Sequence, residues 1–329
     1  MTLDGSPAAV TGSAVATAEI NTFKYRGKTY GGFALASANV LVSLTPRTSE
    51  IAAWGMLAGV TVGAELNLVT GTVIPLNAQI SWRFPARLPE PTPENLADAA
   101  AIVSSLGADL GLAHDGDADR LVLINPAGRV LPDSIVSILA LRASVQQGRV
   151  VVLSENTSSA VEEEATRMGC HVVRSRIGKS FVEIEKEGAA FATEPSKVVD
   201  PKWGMWEDGM YAAVLIADAL AREPELLKLI GAEPKWQYKQ VNIPVSVDLP
   251  RAAERIEAEF AKFRISEVRR LDGLKIVFKD GSWIMFRSSG TEPKTRIYCE
   301  SVDPLRLEEL LGTGKKVLED VAGPGKVQW

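Results

Sequence analysis

Short apolar runs alternate with segments whose apolar side chains recur at helical spacing, between about residues 39 and 222. Runs of the first kind predict buried strands, and segments of the second kind predict helices. The predicted strands are residues 39–43, 66–69, 108–113, 121–124, 149–154, 170–174 and 190–193. The predicted helices are residues 48–63, 93–106, 133–145, 159–169, 181–187 and 209–222. This alternation predicts mixed or mainly parallel α/β domains.

The pattern changes after residue 236, where strands predominate. The predicted strands are residues 240–247, 274–278, 282–286 and 296–300. The second and third of these pair as a hairpin across Lys279-Asp280-Gly281. One helix is predicted around residues 256–263 and another from Asp303, where Gly312 and Gly314 are expected to interrupt it. We therefore predict a separate C-terminal α+β domain, a four-stranded sheet with helices.

Composition and charge exclude several classes of protein. Apolar residues make up 46% of the 329 residues and charged residues 23%, which is ordinary for a soluble globular chain. The net charge of −5 argues against a nucleic-acid partner, which would require a basic stripe. The longest apolar stretch, residues 34–44, is too short to span a bilayer. Cys170 and Cys299 form no CxxC pair, so no disulfide framework or thiolate metal site is expected. We expect a cytoplasmic protein with no membrane contact.

Three aspartates stand at alternate positions in the loop between two predicted strands. Asp115, Asp117 and Asp119 are followed directly by Arg120, and Gly116 lets the loop turn tightly. Alternate side chains of an extended loop share one face, where three carboxylates repel each other unless a cation lies among them. All-oxygen ligands suit Mg²⁺ or Ca²⁺ rather than zinc. A solvated acidic turn is the alternative, and an EF-hand is excluded because Arg120 stands where that loop needs glycine.

A second polar loop, residues 287–296, joins two predicted strands of the C-terminal domain. Arg287 and Arg296 stand at its ends. Between them it carries Ser288, Ser289, Gly290 and Thr291. Hydroxyl groups, backbone N–H groups and fixed positive charge are what a phosphate dianion requires. The loop therefore predicts a phosphate site, with a long polar surface turn as the alternative.

Two further polar segments follow predicted strands of the α/β part. One contains Glu194 and Ser196, and the other contains Arg176 and Lys179. Ligands bind at strand ends in such sheets, so both segments are candidates for substrate contacts. The second segment is not a P-loop, because Val173 stands where the first glycine is required.

Together these segments resemble the α-D-phosphohexomutase family, which includes phosphomannomutases and phosphoglucomutases. The resemblance rests on Phe84–Pro91, Asp115–Arg120, Thr193–Ser196 and Arg287–Arg296, in this order, from about residue 79 to 320. It implies three α/β domains followed by a C-terminal α+β domain. It also implies isomerase activity: phosphoryl transfer between the 1- and 6-positions of hexose phosphates, with Mg²⁺ as cofactor and a hexose bisphosphate as activator.

The resemblance also implies roles for individual residues. It implies Mg²⁺ ligands at Asp115, Asp117 and Asp119, with Arg120 facing the transferring phosphoryl group. It implies substrate contacts from Arg176, Lys179, Glu194, Ser196, Arg287, Ser288, Ser289, Gly290, Thr291 and Arg296.

The sequence departs from the family pattern in two places. The family's nucleophile is a serine in a Thr-Ala-Ser-His-Asn-Pro loop, and neither His114 nor His171 follows a serine here. Lys197-Val198 also replaces the usual Gly-His after the Glu-x-Ser motif. The expected domains are therefore a shortened first α/β domain, a remnant of the second with the metal loop, a third that binds sugar, and a C-terminal domain that binds phosphate. Their expected ranges are 1–78, 79–128, 129–232 and 233–329.

Three hypotheses for function follow. The chain is a phosphohexomutase, a non-catalytic homologue that binds Mg²⁺ and phosphosugars, or the remnant of a gene with an internal deletion. The missing serine loop is the feature that discriminates between them. Missing strands would leave open sheet edges, so we expect either pairing with a partner chain or a second copy, or an unstable fold.

Overall fold

The computed structural model describes residues 84–289 and 293–322 in full. It also describes the backbone of strands at residues 21–25, 28–32, 39–44, 53–57, 60–64 and 71–76. The chain divides into two compact units. The first comprises Met1–Val145 and Ser196–Ala232, and the second comprises Gln146–Pro195 and Glu233–Trp329. Among the described residues, no helix combines the length and apolarity that a membrane span requires.

The helices and strands of the described residues follow one another along the chain in this order. Up to residue 145 they are β1 (Asn21–Tyr25), β2 (Lys28–Gly32), β3 (Asn39–Leu44), β4 (Ala53–Leu57), β5 (Val60–Ala64), β6 (Gly71–Leu76), α1 (Ala97–Leu106), β7 (Leu110–His114), β8 (Leu121–Ile124) and α2 (Asp133–Ser144). From there to residue 232 they are β9 (Val150–Ser154), α3 (Ser159–Arg167), β10 (His171–Ser175), α4 (Ser180–Glu187), β11 (Phe191–Glu194), β12 (Lys197–Val199), α5 (Gly209–Arg222) and α6 (Leu227–Gly231). The remainder are β13 (Gln237–Ile243), α7 (Leu249–Phe260), β14 (Ile265–Arg269), β15 (Leu274–Phe278), β16 (Trp283–Ser288), β17 (Thr295–Ser301) and α8 (Pro304–Ala322).

The first unit contains an antiparallel sheet of order β6-β3-β7-β8. Two separate antiparallel pairs, β1–β2 and β4–β5, precede β6 in the chain. The helix predicted over residues 48–63 is therefore wrong, since β4 and β5 occupy most of that range. The β-branched run Val60-Thr61-Val62 favours a strand, and this preference outweighs the weak helical spacing.

The metal loop predicted from the sequence begins at the end of a fully buried strand. Every residue of β7 and β8 is buried, and α1 packs on them through Val103. Gly111 permits this close approach, because a Cβ atom there would lie 2.7 Å from Cγ2 of Val103. The loop between β7 and β8 thus projects from a well-packed edge of the sheet.

The second unit contains a parallel arrangement and an antiparallel sheet. Strand β9 lies between β10 and β11 and is parallel to both. The C-terminal sheet has the order β13-β17-β16-β15-β14, so it has five strands rather than the four predicted. Strand β14 was not predicted from the sequence, because it is an edge strand whose side chains are largely polar and partly exposed.

Helices α7 and α8 pack against this sheet through one apolar cluster that includes Phe260, Ile284 and Leu310. The interruption predicted at Gly312 and Gly314 is wrong, because α8 is continuous from Pro304 to Ala322. Gly314 instead permits close packing, since a Cβ atom there would lie 2.8 Å from Cδ1 of Ile284.

Within the second unit, the C-terminal sheet also carries a buried lysine. Lys275 is 3% exposed, and its Nζ donates to the carbonyl oxygen of Glu155 at 2.6 Å. The same nitrogen lies 3.9 Å from the ring centroid of Trp283. Burial, and to a smaller degree the neighbouring Arg174, lowers the pKa of Lys275 to about 7.

Candidate functional site

The loop between β7 and β8 brings three carboxylates together. Asp115, Asp117 and Asp119 each offer one oxygen, and these oxygens all lie within 4.8 Å of one another. Asp115 is buried, Asp117 is exposed and Asp119 is half-buried. Ala118 adopts a positive φ of 58°, which turns the chain between the second and third aspartates. Their role as metal ligands stays a prediction.

Arg120 is fixed between two carboxylates of the first unit. Its Nε donates to Oδ2 of Asp115 at 2.6 Å, and its terminal nitrogens donate to both oxygens of Glu90 at 2.5 and 2.7 Å. Burial alone would raise the pKa of Asp115, but the Arg120 guanidinium and backbone N–H hold it below its ordinary value. The guanidinium therefore has a set direction and keeps further N–H donors on its terminal nitrogens for a ligand.

Lys197 occupies one oxygen of the same carboxylate cluster. Its Nζ lies 2.5 Å from Oδ2 of Asp119 and 2.6 Å from Oε2 of Glu207. Burial and the like charges of Asp115 and Asp117 raise the pKa of Asp119 to about 6, although Lys197 opposes this shift. Lys197 thus balances negative charge directly at the aspartate cluster.

The residues present fit a hard divalent cation. Oδ1 of Asp119 is buried without a hydrogen-bond partner in the described part of the chain. It lies 3.9 Å from Nε of Arg120, which is too far for a hydrogen bond. An orphaned carboxylate oxygen beside two further carboxylates provides the oxygen donors that Mg²⁺ prefers. Asp115, Asp117 and Asp119 would hold the ion.

The N-terminus of α5 supports the back of this loop. The Gly209 N–H donates to the carbonyl oxygen of Ala118 at 3.0 Å. A Cβ atom at Gly209 would lie 2.5 Å from the carbonyl oxygen of Arg120, so only glycine permits this approach. The side chain of Asp208 caps the helix by accepting from the N–H groups of Met210 and Tyr211. The positions of the aspartates therefore depend on α5.

Ser196 also belongs to the first unit, beside the metal loop. Its carbonyl oxygen accepts from the Leu121 N–H at 2.8 Å, and its hydroxyl donates to Oδ1 of Asp133 at 2.5 Å. Its φ is 64°, a strained conformation for a serine. The role of Ser196 as a substrate contact stays a prediction.

Glu194 lies in the second unit and holds the loop that carries Arg176 and Lys179. Its carboxylate accepts from the Gly178 N–H at 2.8 and 2.9 Å and from the Ser180 hydroxyl at 2.6 Å. Arg176 and Lys179 are exposed. Three of the predicted substrate residues, Glu194, Arg176 and Lys179, therefore belong to one strand-end region.

Arg287 and Arg296 lie directly opposite each other on β16 and β17. Like charges in this position repel each other. Nε of Arg287 donates to Oδ2 of Asp272 at 2.9 Å, whereas Nε of Arg296 is buried with no hydrogen-bond partner among the described residues. An anion bound between the two guanidinium groups would relieve this repulsion.

The serines of the same loop have partly structural contacts. The Ser288 hydroxyl donates to the carbonyl oxygen of Val247 at 2.7 Å, and the Ser289 N–H donates to the carbonyl oxygen of Lys294 at 2.8 Å. The second bond closes the loop. The predicted contacts Gly290 and Thr291 lie outside the described residues.

Several residues of these sites were not singled out from the sequence. Glu90 lies within the Phe84–Pro91 segment, but no spacing rule links it to Arg120. Asp133 and Glu207 contact Ser196 and Lys197 only through the tertiary fold. Asp272 precedes a strand in a short turn, and nothing in the sequence marks it as a partner of Arg287.

The buried histidine of the first unit has a structural role. Nδ1 of His114 lies 2.9 Å from the carbonyl oxygen of Arg120, and burial lowers the pKa of the imidazole. A guanidinium nitrogen of Arg87 donates to the carbonyl oxygen of His114 and so holds the Phe84–Pro91 segment against the end of β7. Both contacts fix the two ends of the metal loop.

The chain is similar to known proteins over most of its length. Three sequence models of one family match the chain in order. They are phosphoglucomutase/phosphomannomutase alpha/beta/alpha domain II over residues 52–128, domain III over 131–235 and the C-terminal domain over 241–312. The chain belongs to the phosphoglucomutase/phosphomannomutase family. The family membership and mixed α/β fold expected from the sequence are thereby confirmed, whereas the division at residues 78, 128 and 232 stays a prediction.

Curated relatives within the family carry different names. A phosphopentomutase of Thermococcus kodakarensis is 35% identical over 245 residues, which cover 72% of this chain and 54% of the relative. A probable phosphoglucosamine mutase of Methanothermobacter thermautotrophicus is 35% identical over 259 residues, covering 76% of this chain and 56% of the relative. The chain thus spans about half the length of the curated relatives it matches.

Solved structures of the family share the fold. A phosphoglucomutase/phosphomannomutase family protein from Burkholderia thailandensis superposes with a TM-score of 0.65 at 24% identity, covering 77% of this chain and 56% of that chain. A putative phosphomannomutase from Thermus thermophilus gives a TM-score of 0.59 at 23% identity, covering 74% and 54%. At these identities the likeness concerns the fold alone.

Proposed function

We propose that this chain binds Mg²⁺ and a hexose phosphate and supplies contacts for phosphoryl transfer between the 1- and 6-positions of the sugar. The observation that carries the proposal is the aspartate cluster with Arg120 fixed between Glu90 and Asp115. A phosphoryl group in transfer carries negative charge, and a fixed guanidinium beside a cation site can stabilise that charge.

The aspartates and Arg120 would have different roles in phosphoryl transfer. Asp115, Asp117 and Asp119 would hold Mg²⁺, which supplies Lewis-acid polarisation of a phosphoryl oxygen when bound. Arg120 would donate hydrogen bonds to the group being transferred. Because Glu90 already fixes the guanidinium, little reorganisation would be needed during transfer.

In the second unit, the loop of residues 287–296 would bind a phosphate group. Arg287 and Arg296 present opposed guanidinium groups there, and the exposed Arg176 and Lys179 add positive charge in the same unit. A phosphate dianion accepts charge-assisted hydrogen bonds from such groups. Glu194 and Ser196 would contact the sugar hydroxyls.

The identity of the sugar is the finer part of the proposal. Relatives are named phosphopentomutase, phosphoglucosamine mutase and phosphoglucomutase/phosphomannomutase, so three substrate classes are candidates. We propose a hexose phosphate, with a hexose bisphosphate as activator. Calorimetric titration with glucose 6-phosphate, glucosamine 6-phosphate and ribose 5-phosphate would rank the three classes.

Phosphate recognition is tested with Arg287→Ala, with Arg270→Ala as the control. Arg270 is exposed in the same unit and pairs with Glu257 on the surface. A charge-assisted hydrogen bond is worth roughly 1.5–3 kcal/mol, so the affinity for glucose 6-phosphate should fall about tenfold or more in Arg287→Ala only. Equal binding of glucose 6-phosphate and plain glucose to the unmodified chain would contradict the proposal.

The metal is tested with Asp117→Asn. Asp117 is exposed, so the substitution should leave the fold intact while removing one anionic ligand. Mg²⁺ keeps several waters and often needs a substrate phosphate oxygen as a ligand, so we expect weak binding that weakens by on the order of tenfold in the variant. The same Mg²⁺ response in both proteins would show that the cluster does not hold the ion.

Binding without turnover is the second candidate function. It is favoured by one observation, the absence from this sequence of the Thr-Ala-Ser-His-Asn-Pro loop that carries the family's phosphorylated serine. Intact mass of the purified protein would show whether any phosphoryl group is carried.

A further inference from the structure

One oxygen of Asp272 contacts both of the segments whose positive charge the proposed function assigns to phosphate binding. Oδ2 of Asp272 accepts from Nε of Arg287 at 2.9 Å and from the backbone N–H of Ile177 at 2.9 Å. Arg287 belongs to the phosphate loop, and Ile177 lies between Arg176 and Lys179. All of these residues are in the second unit.

The backbone around Asp272 leaves little freedom for this side chain to move away. Gly273 has a φ of 94°, and a Cβ atom there would lie 2.1 Å from the carbonyl oxygen of Phe286. The next residue, Leu274, is paired in register with Phe286. The turn before β15 is therefore pressed against β16 beside Arg287, which places the carboxylate of Asp272 next to that guanidinium.

A second carboxylate holds the same loop from the neighbouring amide. The Gly178 N–H donates to Glu194, while the Ile177 N–H donates to Asp272. The amides of Ile177 and Gly178 are thus both occupied by protein carboxylates. Arg176 and Lys179 can therefore contribute to ligand binding through their exposed side chains, whose positions depend on the turn being held.

We propose that Asp272 is a positioning residue, which fixes Arg287 and the 176–179 loop in one arrangement for binding a sugar phosphate. This inference rests on the proposed function. Nε of Arg287 is taken by Asp272, so as far as the described residues show, the terminal nitrogens remain for the ligand. Without that anchor, repulsion from Arg296 across the strand pair would turn Arg287 away, and the 176–179 loop would lose one of its two carboxylate contacts.

Asp272 offers both a negative charge and an acceptor oxygen at a fixed position, and these two properties predict opposite effects of substitution on anion binding. If Asp272 were only a negative charge near the phosphate, removing the charge would strengthen anion binding. If it acts by position, an acceptor oxygen at the same place is what matters. Asp272→Asn keeps an oxygen in place and removes the charge, whereas Asp272→Glu keeps the charge and displaces the oxygen.

The experiment measures the dissociation constants of glucose 6-phosphate and inorganic phosphate for the full chain by calorimetry. We expect Asp272→Asn to bind within about threefold of the unmodified chain and Asp272→Glu to bind about tenfold more weakly, since an anchoring charge-assisted hydrogen bond is lost. Glu308→Gln, which alters an exposed carboxylate of the same unit, should bind normally.

Hydrogen exchange of the Ile177 amide gives a readout that does not depend on any ligand. The amide should stay protected in Asp272→Asn and exchange faster in Asp272→Glu. Tighter or unchanged binding by Asp272→Glu, while Arg287→Ala binds weakly, would overturn the inference and leave the proposed function intact. Unchanged binding by Arg287→Ala would instead show that the phosphate assignment itself is wrong.

Discussion

The ammonium group of Lys197 lies 2.5 Å from Oδ2 of Asp119, so a cation of the protein itself occupies part of the proposed metal-ligand set. Glu207 holds the same ammonium from the other side at 2.6 Å. Burial alone would lower the pKa of Lys197, but the two carboxylates raise it, so the group stays charged. Lys197 would therefore compete with a bound Mg²⁺ for the negative charge of Asp119.

The first prediction is that Lys197→Met raises the affinity for Mg²⁺. Removing a competing charge-assisted hydrogen bond, worth ~1.5–3 kcal/mol, should tighten binding by on the order of tenfold at pH 8. Calorimetric titration with MgCl₂ measures the change. Lys228→Met is the control, because it removes a highly exposed lysine of the same unit. Equal gains in both variants would mean that net charge, rather than the contact with Asp119, sets the affinity.

The second prediction concerns the support of the metal loop by α5. Gly209→Ala should weaken Mg²⁺ binding and lower the melting temperature, because its Cβ would collide with the carbonyl oxygen of Arg120. Such backbone overpacking typically costs about 1–3 kcal/mol. Gly231→Ala is the matched control, since a Cβ atom at Gly231, in α6, would have no neighbour within 4 Å in the described part of the chain. Normal Mg²⁺ binding by Gly209→Ala would show that the loop does not depend on α5.

The third prediction concerns stability and pH. The pKa of Lys275 is lowered to about 7 in the folded chain by burial and Arg174, and an exposed lysine has a pKa of about 10.4 in the unfolded chain. Between these values the unfolded state binds more protons, so this group makes stability rise with pH across that window. Below about pH 7 Lys275 is charged in both the folded and the unfolded state, so its titration adds no stability there.

The test compares the unmodified chain with Lys275→Met. The free energy of unfolding, measured in urea from pH 7 to 10, should rise less steeply in the variant. Glu155, Glu162, Arg174 and Arg269 also face Lys275, but they are present in both proteins, so the difference in slope isolates the lysine. Identical slopes would place the lysine's pKa near its ordinary value.

The fourth prediction is that this chain alone does not convert mannose 1-phosphate to mannose 6-phosphate, even with a hexose bisphosphate added. Mutase turnover needs a group that stores the phosphoryl between its two transfers. Mg²⁺ and Arg120 stabilise charge but cannot store the group. The hydroxyl of Ser196 donates to Asp133, and that of Ser288 donates to the carbonyl oxygen of Val247. We therefore expect neither serine to store the phosphoryl group. A coupled assay after rigorous removal of host mutase gives the answer.

Turnover that depends on the bisphosphate and survives that purification would contradict the prediction. A phosphopeptide map would then identify the serine or threonine that carries the group. Asp117→Asn serves as the control, because genuine turnover should fall with the metal site, whereas contaminating activity should not.

The spacing of apolar residues predicted the helices and strands that are buried on one face or on all sides. The helix predicted over residues 133–145 is observed as Asp133–Ser144, and the helix over 209–222 is observed as Gly209–Arg222. The hairpin at Lys279-Asp280-Gly281 is also confirmed. Strand β14 was missed because an edge strand with polar side chains shows no apolar period.

Spacing along the chain predicted which residues could act together locally, but not their distant partners. The three aspartates are close together because one loop carries them. Glu90 contacts Arg120 from 30 positions away in sequence, and Asp272 contacts Ile177 from 95 positions away. Such pairs depend on how elements pack, which no local pattern records. Glu194 accepts from the loop amide of Gly178 for the same reason.

Because Arg287 and Arg296 lie opposite each other, we expect the melting temperature of this protein to depend on the anions in the buffer. An anion that binds the folded chain and not the unfolded chain raises the melting temperature by mass action. Phosphate and sulfate buffers would therefore stabilise the chain more than chloride does, and they would conceal the loss caused by substitutions near the two arginines. The order of melting temperatures among the unmodified chain and its variants would therefore depend on the buffer salt.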